Sequence, residues 1–345
     1  MGKTIKIAIT QMNVAPDALE NRLKRGEDLV RDAAAQGAKL VVLPELFNTG
    51  YAYREENFTA ARMHQHLTER WIKEISTKYD VYLAGSFFYH DQQKIFNALF
   101  LIAPNGKSWR YDKNYPWGWE RAYFQAGSDI QIADTDLGRI GFMLCWDVAH
   151  AELWKKYAGK VDLILSCTCP PNIPDADYCF PGEVKYQAGA LGPLFTKMQH
   201  SANKIFVETP AQQCRWLGVP YISSTGSGKI KTGVPNPRGS YIGALFSKPG
   251  LVRHLLQVDE LSIEADMVEA GRIYGADGQQ LAQLHNTYED ELQIAEVEIN
   301  TNTKAPTLLQ PKPPVSGLVF FVSDWLLTTV SKGIYRRGLR RINKL

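Results

Sequence analysis

The segment Gly141-Phe142-Met143-Leu144-Cys145-Trp146-Asp147 constrains this chain more than any other. An apolar run ends in a cysteine, an aromatic residue and an acid follow, and Ala149–Tyr157 then has helical character. The thiol is therefore expected at a sharp strand-to-helix turn. Backbone N–H groups near a helix start favour thiolate and steady an oxyanion. A buried cysteine otherwise packs as a small hydrophobe, so the segment marks a candidate nucleophile whose partners must come from elsewhere in the chain.

The flanking pattern is α/β. Ile5–Ile9 alternates as a strand does; Asn21–Gln36 carries Leu23, Leu29, Val30 and Ala33 at amphipathic-helix spacing, and Gly37 stops that helix before the apolar run Leu40–Leu43. Pro44-Glu45-Leu46 follows at once and sets a carboxylate at the C-terminal end of a buried strand, where α/β sheets tend to build sites. Residues 60–80 look helical with one polar face. Val81–Phe88 and Asn97–Ile102 read as neighbouring strands, with a turn at Pro104-Asn105-Gly106. Tyr111-Asp112-Lys113 then leaves a strand and enters Asn114-Tyr115-Pro116-Trp117-Gly118-Trp119-Glu120, a stretch suited to a pocket wall. Aromatic neighbours there would desolvate Lys113 and make it a fixed cation.

With 345 residues, 45% of them hydrophobic, the chain can bury a large core as one large domain or two ordinary ones. Cys145, Cys167, Cys169, Cys179 and Cys214 form an odd set with no disulfide framework, and Cys167-Thr168-Cys169 lacks the second pair a zinc site needs. A reducing, cytoplasmic setting is expected. No apolar leader precedes Ile5, and Lys6 stands where an N-myristoylation motif wants Ser or Thr. The net charge of +3 divides into +5 for residues 315–345 and −2 for the rest, so the body is no polyanion binder and no nucleic-acid partner is expected.

Pro44-Glu45-Leu46, Tyr111-Asp112-Lys113 and Leu144-Cys145-Trp146-Asp147, in that order and at these separations, resemble the Glu-Lys-Cys triad of the carbon–nitrogen hydrolase (nitrilase) superfamily. Glu120 with Phe124 and Gly127 is similar to that family's second-glutamate segment, and Gly138-Arg139-Ile140-Gly141 to its hairpin before the nucleophile. The resemblance runs from about residue 4 to residue 210 and resumes near Gly271–Gly278. It implies a four-layer α-β-β-α sandwich that assembles into homodimers or larger homo-oligomers. It also implies that Glu45 is the base, Cys145 the nucleophile and Lys113, with the Trp146 backbone N–H, the oxyanion donor. Glu120 would hold Lys113 or the attacking water, and neither metal nor organic cofactor is implied. Asp147 after the tryptophan is more similar to amidase and carbamoyl-amidase branches than to true nitrilases, so amide hydrolysis is expected. Nitrile hydrolysis and acyl transfer are the alternatives within this chemistry; a catalytically silent membrane-associated binding protein is the alternative outside it. Trp117, Trp119 and Tyr123, with Trp146, Tyr178 and Phe180, are expected to shape an apolar pocket for a small-molecule amide, amphiphilic ones included.

The sequence divides into a hydrolase domain over 1–305, with a long insertion at about 211–270, a Pro-containing linker over 306–317 and an amphipathic basic helix over 318–345. Gly218–Gly250 is expected to form a lid, a binding loop or a disordered segment. The Gly226-Ser227-Gly228-Lys229 within it is not read as a phosphate loop, because position 223 is not glycine and no strand is expected to lead in. Leu318–Leu327 is apolar but interrupted by Ser323 and Asp324, and is read as too short to span a bilayer, which takes about 20 apolar residues. Further on, Lys332, Arg336, Arg337, Arg340, Arg341 and Lys344 share one half of the helical wheel, while Ile334, Tyr335, Leu339, Ile342 and Leu345 share the other. With Trp325 this is the design of a helix lying in the plane of an anionic membrane surface, on its cytoplasmic face. An arm packed on a neighbouring subunit is the alternative.

Overall fold

The computed structural model describes residues 2–182, 184–191, 196, 201–247 and 249–344. In chain order the strands of its first half are β1 (Gly2–Asn13), β2 (Leu40–Val42), β3 (Tyr82–Asp91), β4 (Lys94–Ile102), β5 (Ser108–Asp112), β6 (Ile132–Thr135), β7 (Gly138–Leu144) and β8 (Leu163–Cys167). Those of its second half are β9 (Asp177–Phe180), β10 (Val184–Gln187), β11 (Tyr221–Ser227), β12 (Lys229–Gly233), β13 (Ser262–Asp266), β14 (Arg272–Tyr274), β15 (Gln280–Gln283) and β16 (Glu291–Asn300).

Two six-stranded halves make the main sheet. One runs β5-β4-β3-β2-β1-β16 and the other β6-β7-β8-β11-β14-β15, and they join where Gln11–Asn13 of β1 lies parallel to Thr225–Ser227 of β11. Strand periodicity explains how the halves face each other. Ile5, Ile7 and Ile9 of β1 point inward, with Val42 and Leu99, onto Ile140, Phe142, Leu163, Leu165 and Ile222 of the other half. The intervening Ala8 and the later Met12 point outward, under a helical layer made by α1 (Leu19–Ala35) and α3 (Gln65–Tyr79), which contribute Leu29, Val30, Ala33, Ile72 and Ile75. A short α2 (Glu56–Met63) precedes α3. On the far side α4 (Ala151–Tyr157) and α5 (Thr209–Leu217) cover Ile164 and Tyr221 with Leu153, Trp154, Tyr157, Cys214 and Leu217. The result is the expected four-layer α-β-β-α sandwich.

The stretch read as an insertion at 211–270 is only partly one. It opens with α5 and β11, and β11 is a central strand paired in parallel with both β1 and β8. Its sequence, Tyr-Ile-Ser-Ser-Thr-Gly-Ser, hides this because its small polar residues bond across the sheet. Ser224 Oγ donates to the Val42 carbonyl at 2.5 Å and accepts from the Thr10 N–H at 3.0 Å. A strand does therefore lead into Gly226–Lys229, yet β12 and not a helix follows, so the segment is a strand-to-strand turn. The remainder, with residues 177–187, builds a separate four-stranded sheet in the order β10-β9-β13-β12, beside α6 (Pro237–Ser247).

At the C-terminus, Ser323 and Asp324 do not break the helix. It runs unbroken from Gly317 to Ile342, through a widened turn at Phe321–Leu326 and into α7 (Leu327–Ile342), and is long and apolar enough by length and composition to cross a membrane, contrary to the sequence expectation. Its apolar half is spent on the protein itself: Ser331, Tyr335, Gly338 and Ile342 are buried. The Tyr335 hydroxyl accepts from the Ile95 N–H at 3.1 Å, and Asn236 Nδ2 donates to the Val330 carbonyl at 2.8 Å. Gly338 is required here, since a β-carbon would lie 2.2 Å from the Phe58 ring. The six cations of the other half are all exposed.

Candidate active site

Three strand ends converge. Glu45 follows β2, Lys113 follows β5 and Cys145 follows β7, so the site straddles the junction between the halves of the sheet. The loop carrying Glu45 is pinned from behind. Buried Arg22 of α1 donates to the carbonyls of Phe47, Asn13 and Ala15, and the Leu46 N–H donates to Ser86 Oγ at 3.1 Å.

Lys113 is fully buried, and its Nζ lies 2.8 Å from Glu45 Oε1, 2.8 Å from Glu120 Oε1 and 2.7 Å from Glu120 Oε2. Burial works against its charge, but the two carboxylates outweigh it and hold the ammonium well above the ordinary lysine range. Glu120 is fixed in turn, accepting from the Tyr51 hydroxyl at 2.6 Å and the Trp117 N–H at 2.7 Å. Asn97 of β4 ties the two key loops together. Its Nδ2 donates to Glu45 Oε1 at 2.7 Å, while its carbonyl accepts from the Lys113 N–H at 3.0 Å.

The remaining carboxylate oxygen, Glu45 Oε2, is buried without a hydrogen-bond partner among the described residues, and the nearby Cys145 side chain works to lower the pKa of this carboxyl. Burial raises the Glu45 pKa to about 7, with Lys113 opposing and Glu120 adding to the rise. Cys145 stands at φ 47°, in the left-handed region that a side chain adopts at some cost. Asp147 holds that elbow. It accepts from the Leu144 N–H at 2.9 Å, the Tyr111 hydroxyl at 2.7 Å and the Tyr115 N–H at 2.8 Å, locking the end of β7 to the loop that bears Lys113. The expectation that a helix start would favour thiolate is corrected here: Cys145–Ala149 is a tight 3₁₀ turn and α4 begins only at Ala151. Burial first, and then the Glu45 charge, push the thiol well above its ordinary range, so the resting site holds a thiol beside a base.

A pocket open to solvent lies over Cys145. Of the aromatic residues expected to line it, Trp117 and Trp146 do so. Trp119 and Tyr123 instead lie behind: Trp119 meets Trp117 edge-on and donates to Ser240 Oγ at 3.1 Å, while Tyr123 stacks on Tyr53. Tyr178 and Phe180 belong to the core of the small sheet. The lining residues that sequence reasoning missed, Tyr51, Ile173, Ile205 and Phe206, carry no motif, and only the fold brings them together.

The family model for carbon–nitrogen hydrolases matches residues 6–178, half of the chain. The chain belongs to that family. Among its relatives, an omega-amidase from Danio rerio is 30% identical over 259 residues, 72% of this chain and 86% of that enzyme. A nitrilase from Pyrococcus abyssi is 33% identical over 163 residues; the match spans 45% of this chain and 61% of that enzyme, less than two thirds of its length. An amidase from Nesterenkonia sp. of known structure shares the fold, with a TM-score of 0.62 at 16% identity over 85% of this chain and 89% of that one.

Proposed function

We propose that this carbon–nitrogen hydrolase cleaves a non-peptide amide to a carboxylic acid and ammonia or an amine, through an acyl-thioenzyme on Cys145. The observation that carries the reading is the buried Lys113 ammonium clamped by Glu45 and Glu120, with the second Glu45 oxygen buried and without a hydrogen-bond partner among the described residues. Glu45 takes the thiol proton as sulfur attacks the carbonyl carbon. Lys113 and the Trp146 backbone N–H bind the resulting oxyanion. Collapse breaks the carbon–nitrogen bond, and the leaving nitrogen departs with the proton from Glu45. Glu45 then takes a proton from water as that water attacks the thioester, and the proton passes to sulfur as the acid leaves. Glu120 fixes Lys113 throughout.

Incubating the chain with primary amides and the matching nitriles, while following ammonia and the mass of the protein, tests this. Ammonia from amides with an acyl adduct on Cys145 is expected. Turnover of nitriles alone would replace the amide reading, and neither ammonia nor adduct would leave the silent binding protein. The rate should also fall as pH drops through about 7, because Glu45 is a base only when ionised and its pKa is raised to about 7. A pH profile of kcat/KM with its acid limb near the ordinary glutamate value of 4.5 would overturn the raised pKa of Glu45.

The second part of the proposal is attachment to the cytoplasmic face of an anionic membrane, with the C-terminal helix lying in the plane of the surface. Leu318, Phe321 and Trp325 face outward at 51%, 49% and 59% exposure, and the Phe321 and Trp325 rings stack at 5.0 Å. Beyond them, Lys332, Arg336, Arg337, Arg340, Arg341 and Lys344 are exposed, each able to contribute about 1 kcal/mol near anionic lipid. Crossing the bilayer would instead desolvate cations at about 2.5–3.5 kcal/mol each near its centre and strip the helix from Phe58 and Ile95. In vesicle flotation, the chain should rise with anionic vesicles and less so with neutral ones or at high salt. Arg336→Glu/Arg340→Glu should sink. Flotation indifferent to lipid charge would defeat this part.

A further inference from the structure

The C-terminal segment reaches the active site. Val319 lines the pocket over Cys145 together with Ile205, Phe206 and Trp146. Five residues on, Asp324 Oδ1 accepts a hydrogen bond from Trp146 Nε1 at 3.0 Å, and Asp324 Oδ2 lies 3.6 Å from His150 Nε2. Between them the Phe320 ring lies 6.2 Å from that of Trp146 and 5.0 Å from that of His150. Trp146 directly follows the nucleophile, so a residue 178 positions away holds the side chain next to Cys145. The segment is anchored by a rigid element, since α7 continues from it and is seated on the body through Tyr335, Gly338 and Ile342.

We propose that residues 319–324 are a working part of the active site: Val319 is the outer wall of the acyl pocket and helps select uncharged, apolar acyl groups, and Asp324 is a positioning residue for Trp146. This rests on the amide reading given above. The chemistry of the walls supports it. Ile173, Ile205, Phe206, Trp117 and Val319 give the acyl chain apolar surface, and among the described residues no Lys, Arg or His lines the pocket. Its single carboxylate, Glu120, is already bound by Lys113, Tyr51 and the Trp117 N–H. Among the described residues a charged acyl group finds no partner there to offset its lost hydration, whereas each methylene buried adds to binding. Because the indole of Trp146 is tethered, the backbone beside the nucleophile is held at the oxyanion, and small displacements at such a position cost rate.

Steady-state kinetics of the full chain on acetamide, butanamide, hexanamide and the monoamide of succinic acid test both roles. Wild type should prefer hexanamide to acetamide and disfavour the charged monoamide by about tenfold or more. Val319→Glu should lower the hexanamide-to-acetamide ratio of kcat/KM by about tenfold, through KM. Asp324→Ala should lower kcat by about 10- to 100-fold for every amide with KM little changed, and Asp324→Asn, whose amide oxygen still accepts the indole N–H, should recover most of that loss. An unchanged chain-length ratio in Val319→Glu overturns the wall. An unchanged kcat in Asp324→Ala, or an equal loss in Asp324→Asn, overturns the positioning role. If wild type releases no ammonia from any amide, the amide reading has failed instead. The wall is then read from the relative rates at which 2-bromo amides of two and six carbons label Cys145, a ratio that Val319→Glu must lower.

Discussion

Replacing Cys145 by alanine is expected to abolish turnover and labelling by thiol-reactive amides while the fold survives. Only the sulfur can carry the acyl group, and no other side chain in the pocket can substitute. The loss to packing is small, because one sulfur leaves a site already lined by polar groups and alanine meets the same left-handed backbone strain at φ 47°. The remaining cysteines should tolerate alanine better. Even Cys169, whose thiol donates to the Glu45 carbonyl at 3.2 Å, bears on the base only through the backbone. Intact-mass labelling and a melting curve decide the matter: substantial activity in Cys145→Ala would remove the acyl-thioenzyme, and with it the proposed mechanism.

Lys113→Met is expected to damage both activity and stability. Rate should fall by about 10²–10³ as the oxyanion loses a donor. Stability should fall by about 3–5 kcal/mol, since Glu45 and Glu120 would face each other in the interior without their shared cation. The pH dependence has a definite sign. Lys113 lowers the Glu45 pKa, so its removal raises that pKa further above the unfolded value. A carboxyl raised in this way makes the folded state bind more protons than the unfolded one, so the deficit relative to wild type should widen as pH rises through 7. Adding Glu120→Gln should restore part of the stability and none of the activity. Lys113→Arg should not rescue, because a planar fork cannot sit where a compact ammonium meets three carboxylate oxygens. Equal melting temperatures of wild type and Lys113→Met at pH 8 would contradict this account of the buried cluster.

Much of this was legible in the sequence where burial imposes a period. The alternation of Ile5, Ile7 and Ile9 and the helical spacing of Leu29, Val30 and Ala33 each report a face turned to the core. Glu45, Lys113, Glu120 and Cys145 were legible because their chemistry and order form a recognisable set. What stayed hidden depends on contacts between distant residues. Asn97 reaches Glu45 across 52 positions and Asp324 reaches Trp146 across 178, and neither residue type is unusual where it stands. β11 is hidden because its hydroxyls, such as that of Ser224 satisfied across the sheet, make a buried strand look like a polar loop. Trp119 and Tyr123 were assigned to the pocket because aromatic content says that a wall is near without saying which side of it a ring faces. The helical wheel of the tail carried no information about which surface its apolar face would meet.

The ten-residue antiparallel ladder that pairs Gly2 with Asn300 and Gln11 with Glu291 also bears on how the chain is made. β1 leaves the ribosome long before β16 and must wait for it. At about 5–20 residues per second, that wait is on the order of 15–60 s, with one edge of β1 uncovered and open to wrong pairing. Glu45, Lys113 and Cys145 are all synthesised in the first half of that interval, yet the scaffold that aims them at one another closes only with β16. In a translation time course, activity should therefore emerge as a single late step.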